Sequence, residues 1–186
     1  MTTMPIFRDS LLAGRKRLAE GRSEIRQQHE AGSPGIQVST RLAELLDKVV
    51  LDLFESAVSD VWPDADDAAR SQVALVAHGG YGRRDVAPYS DVDLMILHAP
   101  GSEKKTFPLA SRLTRDLYDV GLEVGQSVRA PRDALRLAAR DPTACTSLME
   151  SRFLAGGKKL FETFAGRFDR RTRARPKNLF KAIEDA

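Results

Sequence analysis

Two short apolar runs, 73–77 and 91–97, are separated by His78-Gly-Gly-Tyr-Gly-Arg-Arg84 and a few further loop residues. The first run has the length and character of a buried strand, and the segment after it reads as a loop or one short helical turn. If Asp91-Val-Asp-Leu-Met-Ile-Leu97 is a strand, its side chains alternate. Asp91 and Asp93 then share one face, and Val92, Leu94 and Ile96 pack inward on the other. Met95 and Leu97 continue the carboxylate face as apolar residues, which calls for a sheet covered on both sides. Two carboxylates on one face, beside a glycine loop carrying arginines, make a site for a divalent cation that holds a polyphosphate.

The 186 residues are 42% apolar and 30% charged, enough for one domain with its own core. The net charge of +3 is modest and is not one continuous block, so no nucleic-acid partner is expected. Cys145 is the sole cysteine. It excludes an intrachain disulfide, suits a reducing compartment and reads as a packing residue. The N-terminus lacks a signal-peptide pattern, and no apolar run approaches the roughly 20 residues that span a bilayer. A cytoplasmic protein without a membrane partner is the expectation.

Elsewhere the sequence predicts a polar, solvent-facing helix over 7–30, with Leu11, Leu12, Leu18 and Ile25 as scattered apolar positions. Ala31-Gly-Ser-Pro-Gly35 ends it. An amphipathic helix over 38–60 follows, capped by Ser39 or Thr40. Trp62-Pro-Asp-Ala-Asp-Asp67 reads as a solvated turn or helix start, and 100–105 as a polar turn. Helices are predicted over 107–120, 131–140 and 158–168, and a third strand over 122–129. For 143–154 periodicity leaves helix and strand open. The chain divides into an N-terminal helical arm (1–36), a central domain (37–166) and a basic tail (167–186).

The block Gly79-Gly-Tyr-Gly-Arg-Arg-Asp-Val-Ala-Pro-Tyr-Ser-Asp-Val-Asp-Leu94 resembles the polymerase beta-like nucleotidyltransferase superfamily. It is closer still to the N-terminal catalytic domain of the bacterial PII uridylyltransferase/uridylyl-removing enzymes. Tyr118-Asp-Val-Gly-Leu-Glu-Val-Gly-Gln-Ser-Val-Arg129 and Glu150-Ser-Arg-Phe-Leu-Ala-Gly156 agree with that family in the same order. The resemblance implies an α/β (α+β) fold with a small mixed sheet and packed helices. It implies transfer of UMP from UTP, with Mg2+, onto a tyrosine of a PII-type nitrogen-regulatory protein.

On this reading Asp91 and Asp93 are catalytic metal ligands. Gly79 and Gly80 let the backbone approach a phosphate. Arg83, which follows the family pattern more closely than Arg84, pairs with phosphate oxygens. Ser90 either donates to a phosphate or caps the turn. Tyr81 and Tyr89 brace the loop, and His78 packs or bonds locally. The superfamily's third carboxylate is Glu150 or Glu123. Glu150 is preferred, as an acid in an apolar window followed by an arginine; its alternative role is a salt bridge with Arg152 or Arg129.

The resembling enzymes are several times longer. Their phosphohydrolase and ACT domains, and the glycine-rich segment after the arginine-rich region, have no counterpart here, so removal of uridylyl groups by this chain alone is not expected. The chain reads as a fragment, a truncated product or a minimal transferase. The rival readings are a nucleotidyltransferase of other base or acceptor, such as an adenylyltransferase, and a non-catalytic nucleotide-binding module whose basic tail serves a partner.

Overall fold

A computed structural model describes residues 9–174. Helices α1 (Asp9–Glu30) and α2 (Gly35–Val61) lie antiparallel, joined where Gly32 adopts φ +99°. The cross-links run in descending order: Ser56 donates to Ser10, Arg17 pairs with Asp52, and Arg41 donates to Gln28. Helix α1 is therefore not simply solvent-facing. Leu11, Gly14 and Leu18 are buried, while Leu12 is exposed. Helix α2 buries the predicted stripe from Leu42 to Val58. Neither Ser39 nor Thr40 caps it; the N-cap position is Pro34, and the Thr40 hydroxyl donates to the Ile36 carbonyl. The acidic turn is a helix start: Asp66 accepts from the Ala69 N–H at 2.8 Å and caps α3 (Asp67–Arg70).

Strand β1 (Val73–Ala77) falls where the sequence places it and is wholly buried. It leads into α4 (Gly79–Arg83) and then β2 (Val92–His98), which starts one residue after Asp91. Helix α5 (Glu103–Asp119) takes up the second half of the predicted polar turn. Pro108 is tolerated near its start, where it removes a single helical N–H. Arg112 and Asp116 of α5 are buried as a pair at 2.8 Å, and Arg112 also reaches Asp60 of α2 at 3.1 Å.

Strand β3 (Val124–Arg129) pairs parallel to β2, the arrangement that a helical crossover such as α5 permits. Helices α6 (Pro131–Ala138) and α7 (Pro142–Met149) follow, then β4 (Arg152–Gly156) and α8 (Lys158–Ala174). The ambiguous stretch 143–154 is thus a helix and a strand. Asp141, accepting from the Ala144 N–H at 3.1 Å, fixes where the helix begins. Strand β4 pairs antiparallel to β1, as β2 does, giving the mixed order β3-β2-β1-β4.

Both faces of the sheet are covered. Val73, Leu75, Leu94 and Ile96 pack against α1, α2 and α5 in one core. Ala74, Val76, Met95 and Leu97 pack against Ala134, Leu135, Cys145, Leu148, Phe164 and Phe168 in the other. Phe168, the last residue of the predicted helix, is buried in this core, and α8 runs on to Ala174, so residues 167–174 of the predicted tail are helical; 175–186 lie outside the described residues.

Phe164 is fully buried between α8 and the sheet. Phe164→Ala is expected to cost about 3–5 kcal/mol of unfolding free energy in urea denaturation. Leu12→Ala, at a position 50% exposed, is expected to stay within about 0.5 kcal/mol of the parent.

Candidate active site

The end of β1 delivers His78 and the two glycines beside β2, where the His78 N–H donates to the Asp93 carbonyl at 3.1 Å. Gly79 opens α4 with φ +58°, and a Cβ there would lie 2.8 Å from Asp93 Oδ2 and 3.2 Å from Ser147 Oγ. Across the sheet, a Cβ on Gly125 of β3 would lie 2.6 Å from Asp93 Oδ1. The Asp93 carboxylate therefore occupies room that two missing side chains leave. Gly80 follows in the same turn, and its carbonyl accepts from the Asp85 N–H at 2.9 Å.

Asp91 lies just before β2 and is exposed, while Asp93 is half-buried. Burial pushes the Asp93 carboxyl above its usual range; His78 opposes this and the negative Asp91 adds to it. The two carboxylates thus sense one another, and the site carries negative charge that burial makes costly. Among the described residues no group of three or more His, Cys, Asp and Glu could hold a metal. Two carboxylates, with water and substrate oxygens completing the shell, suit Mg2+, which keeps much of its hydration and rarely takes an all-protein cage.

His78 Nδ1 lies 2.8 Å from Ser147 Oγ. Burial holds the imidazole below its ordinary pKa, against the opposing pull of Asp93 and a hydrogen bond to the Leu94 backbone. A neutral ring that donates to Leu94 accepts a hydrogen bond from the Ser147 hydroxyl, so His78 bonds locally and holds Ser147 beside the carboxylate.

A buried network clamps α4 from behind. Arg152 of β4 makes a two-pronged ion pair with Asp47 of α2, at 2.8 and 2.9 Å. The same guanidinium donates to the carbonyls of Gly82 and Tyr81, both at 3.2 Å. It lies 5.4 Å from the centre of the Tyr81 ring. The Tyr81 hydroxyl donates to Asp47 at 2.7 Å, and its pKa is driven far up by burial and by Asp47. At Gly82 a Cβ would meet the Glu150 carbonyl oxygen at 2.0 Å, so helix α7 ends directly against the turn. Tyr81 braces the loop; Tyr89, 87% exposed, does not.

The other predicted residues stand around this centre. The Ser90 hydroxyl accepts from the Ala87 N–H at 3.1 Å, capping the turn before Asp91, and its own proton remains available to donate. Arg83 is exposed, 4.0 Å from Asp85, and Arg84 reaches toward Asp47 at 3.8 Å. Glu150 is exposed at the end of α7 rather than set in an apolar window, and Arg152, its suggested partner, belongs to Asp47. Glu123 is exposed just before β3, where its carbonyl accepts from the Val92 N–H at 2.8 Å. Asp47, Gly125 and Ser147 were missed. Asp47 had a signal: an acid between Leu46 and Val49 in a buried stripe needs a cation.

Removing the guanidinium with Arg152→Met should cost about 2–4 kcal/mol in urea denaturation, since Asp47 is left partly unpaired. Asp47→Leu combined with Arg152→Met should recover part of that loss. Asp93→Asn relieves a carboxylate whose folded pKa is raised. In divalent-free buffer it should therefore raise the melting temperature at pH 7. The gain should shrink as the pH falls through the raised folded pKa of Asp93 toward its ordinary value, where the parent residue becomes neutral. Calorimetric melts of both proteins from pH 4 to 8 measure this.

Residues 20–136 match the family "Putative nucleotidyltransferase DUF294". The chain is also similar to proteins named bifunctional uridylyltransferase/uridylyl-removing enzyme. The relative from Erythrobacter litoralis is 35% identical over 155 residues, covering 83% of this chain and 17% of the relative. For Azospirillum brasilense the identity is 35% over 165 residues, with 88% and 18% covered. For Aromatoleum aromaticum it is 36% over 159 residues, with 86% and 17% covered. The chain thus spans less than a fifth of the length of these relatives. The glycine turn and both aspartates lie inside the matched residues, and the chain belongs to this nucleotidyltransferase family.

Proposed function

We propose that this chain transfers UMP from UTP to a tyrosine hydroxyl of a PII-type signalling protein. The observation that carries the reading is the Asp93 carboxylate, set between Gly79 and Gly125 with Asp91 beside it. The names of the similar proteins favour uridylyl transfer over other nucleotidyl groups.

Asp91 and Asp93 would hold Mg2+, which when bound neutralises phosphate charge and lowers the pKa of an attacking hydroxyl. The rest falls to the chain's own groups. Gly79 and Gly80 carry no Cβ and leave backbone N–H groups open to phosphate oxygens. Ser90 has a hydroxyl proton to donate, and Arg83 a guanidinium free to swing toward the phosphates. The clamp of Asp47, Arg152 and Tyr81 keeps the turn in place, so little reorganisation is needed when substrate arrives. In the reaction the tyrosine oxygen bonds to the α-phosphorus and the bond to the bridging oxygen breaks. Pyrophosphate leaves with that electron pair, and the phenolic proton passes to solvent.

Incubation with Mg2+, a PII protein and each nucleoside triphosphate labelled at the α-phosphate tests the proposal. UTP should label PII, and Asp91→Asn or Asp93→Asn should lower labelling by at least about a hundredfold. Labelling from ATP instead would shift the reading to adenylyl transfer. Labelling that survives replacement of both aspartates would overturn the site, and binding of triphosphate without any transfer would favour a binding module.

A further inference from the structure

The cavity beside Asp93 has a volume of about 280 Å3. Its lining extends from Asp93 and His78 to Arg129 at the end of β3. In the parallel register Gly125 stands opposite Asp93, Ser127 opposite Met95 and Arg129 opposite Leu97. Alternation therefore puts Asp93, Gly125, Ser127 and Arg129 on one face of the sheet. Gly125 and Arg129 are about 13 Å apart along the strand, and Arg129 lines the same cavity as His78 and Asp93. Leu137 of α6 and Ala144 and Leu148 of α7 supply the opposing, mostly apolar wall.

The partnering of the nearby arginines sets Arg129 apart. Arg152 and Arg112 are each paired with carboxylates. Arg84 reaches toward Asp47, and Arg83 stands near Asp85; neither lines the cavity. Arg129 is half-buried and has no ion pair with a carboxylate among the described residues. A guanidinium partly removed from water without a counter-charge is costly, and an anion entering the cavity would offset that cost.

We propose that Arg129 binds the terminal phosphates of the nucleoside triphosphate, the part that leaves as pyrophosphate. The proposal rests on the nucleotidyl-transfer reading above and adds the group that grips the leaving portion. The planar fork of arginine matches two oxygens of one phosphate. With the Asp93 carboxylate at one end of the cavity and the guanidinium toward the other, a polyphosphate has one electrostatically favoured direction.

Titration calorimetry with inorganic pyrophosphate, UTP and UMP, each with Mg2+, tests it. Arg129→Gln should weaken pyrophosphate and UTP about ten- to a hundredfold, the loss expected for charge-assisted hydrogen bonds. UMP, which lacks the terminal phosphates, should bind as to the parent. Arg129→Lys should keep part of the affinity, having charge without the fork. Arg132→Gln, an exposed arginine on α6 outside this cavity, should change nothing. Unchanged pyrophosphate and UTP binding in Arg129→Gln, with a parent that binds both, would overturn the role of Arg129 and leave the transferase reading intact. An equal loss of UMP would also overturn it, by showing a general distortion. A parent that binds none of the three ligands would overturn both.

Discussion

The ion pair between Asp47 and Arg152 is the interaction on which the site depends. It joins α2 on one side of the sheet to the edge strand β4, and everything it touches belongs to the glycine turn. Tyr81 donates to the acid, and the base donates to two carbonyls of the turn. A surface pair of this kind would contribute little. Here the side chains are only 14% and 22% exposed, so the charges are held apart from water and each needs the other. Without them, a five-residue helix containing three glycines would have little to keep it in one conformation.

A well-held backbone lets the chain tolerate an unfavourable charge arrangement in front of it. Asp93 sits partly out of water, near another carboxylate, in a recess that a methyl group on Gly79 or Gly125 would close. Such a placement lowers stability and favours any cation that arrives. The cost is carried by the two cores around the sheet, which bury β1 and most of β2 completely.

Much of this was legible in the sequence where a signal is local. Strand β1 is bounded by polar Gln72 and by His78-Gly79, and its ends came out as read. The alternation after Asp91 gave the face of Asp93 and the need for cover over Met95 and Leu97. What was lost depends on distance or on weak punctuation. Asp47 and Arg152 are 105 positions apart, and nothing in either segment names its partner. Glu150 and Ser151 separate α7 from β4 without a glycine or proline, so the boundary was invisible and Glu150 was wrongly set among apolar neighbours. Gly125 looks like a blemish in a strand until the carboxylate that fills its place is seen.

The position of Arg152 on the last strand has a consequence for how the chain acquires its chemistry. Strand β4 pairs with β1 residues that lie 75–82 positions earlier, a long-range closure that is slow in search. The glycine turn is emitted early, yet the strand carrying its clamp is the last of the sheet in chain order. Until that strand docks, a nascent chain has its acidic pair but no fixed loop beside it. The fixed shape of the glycine turn therefore depends on the last strand of the sheet in chain order.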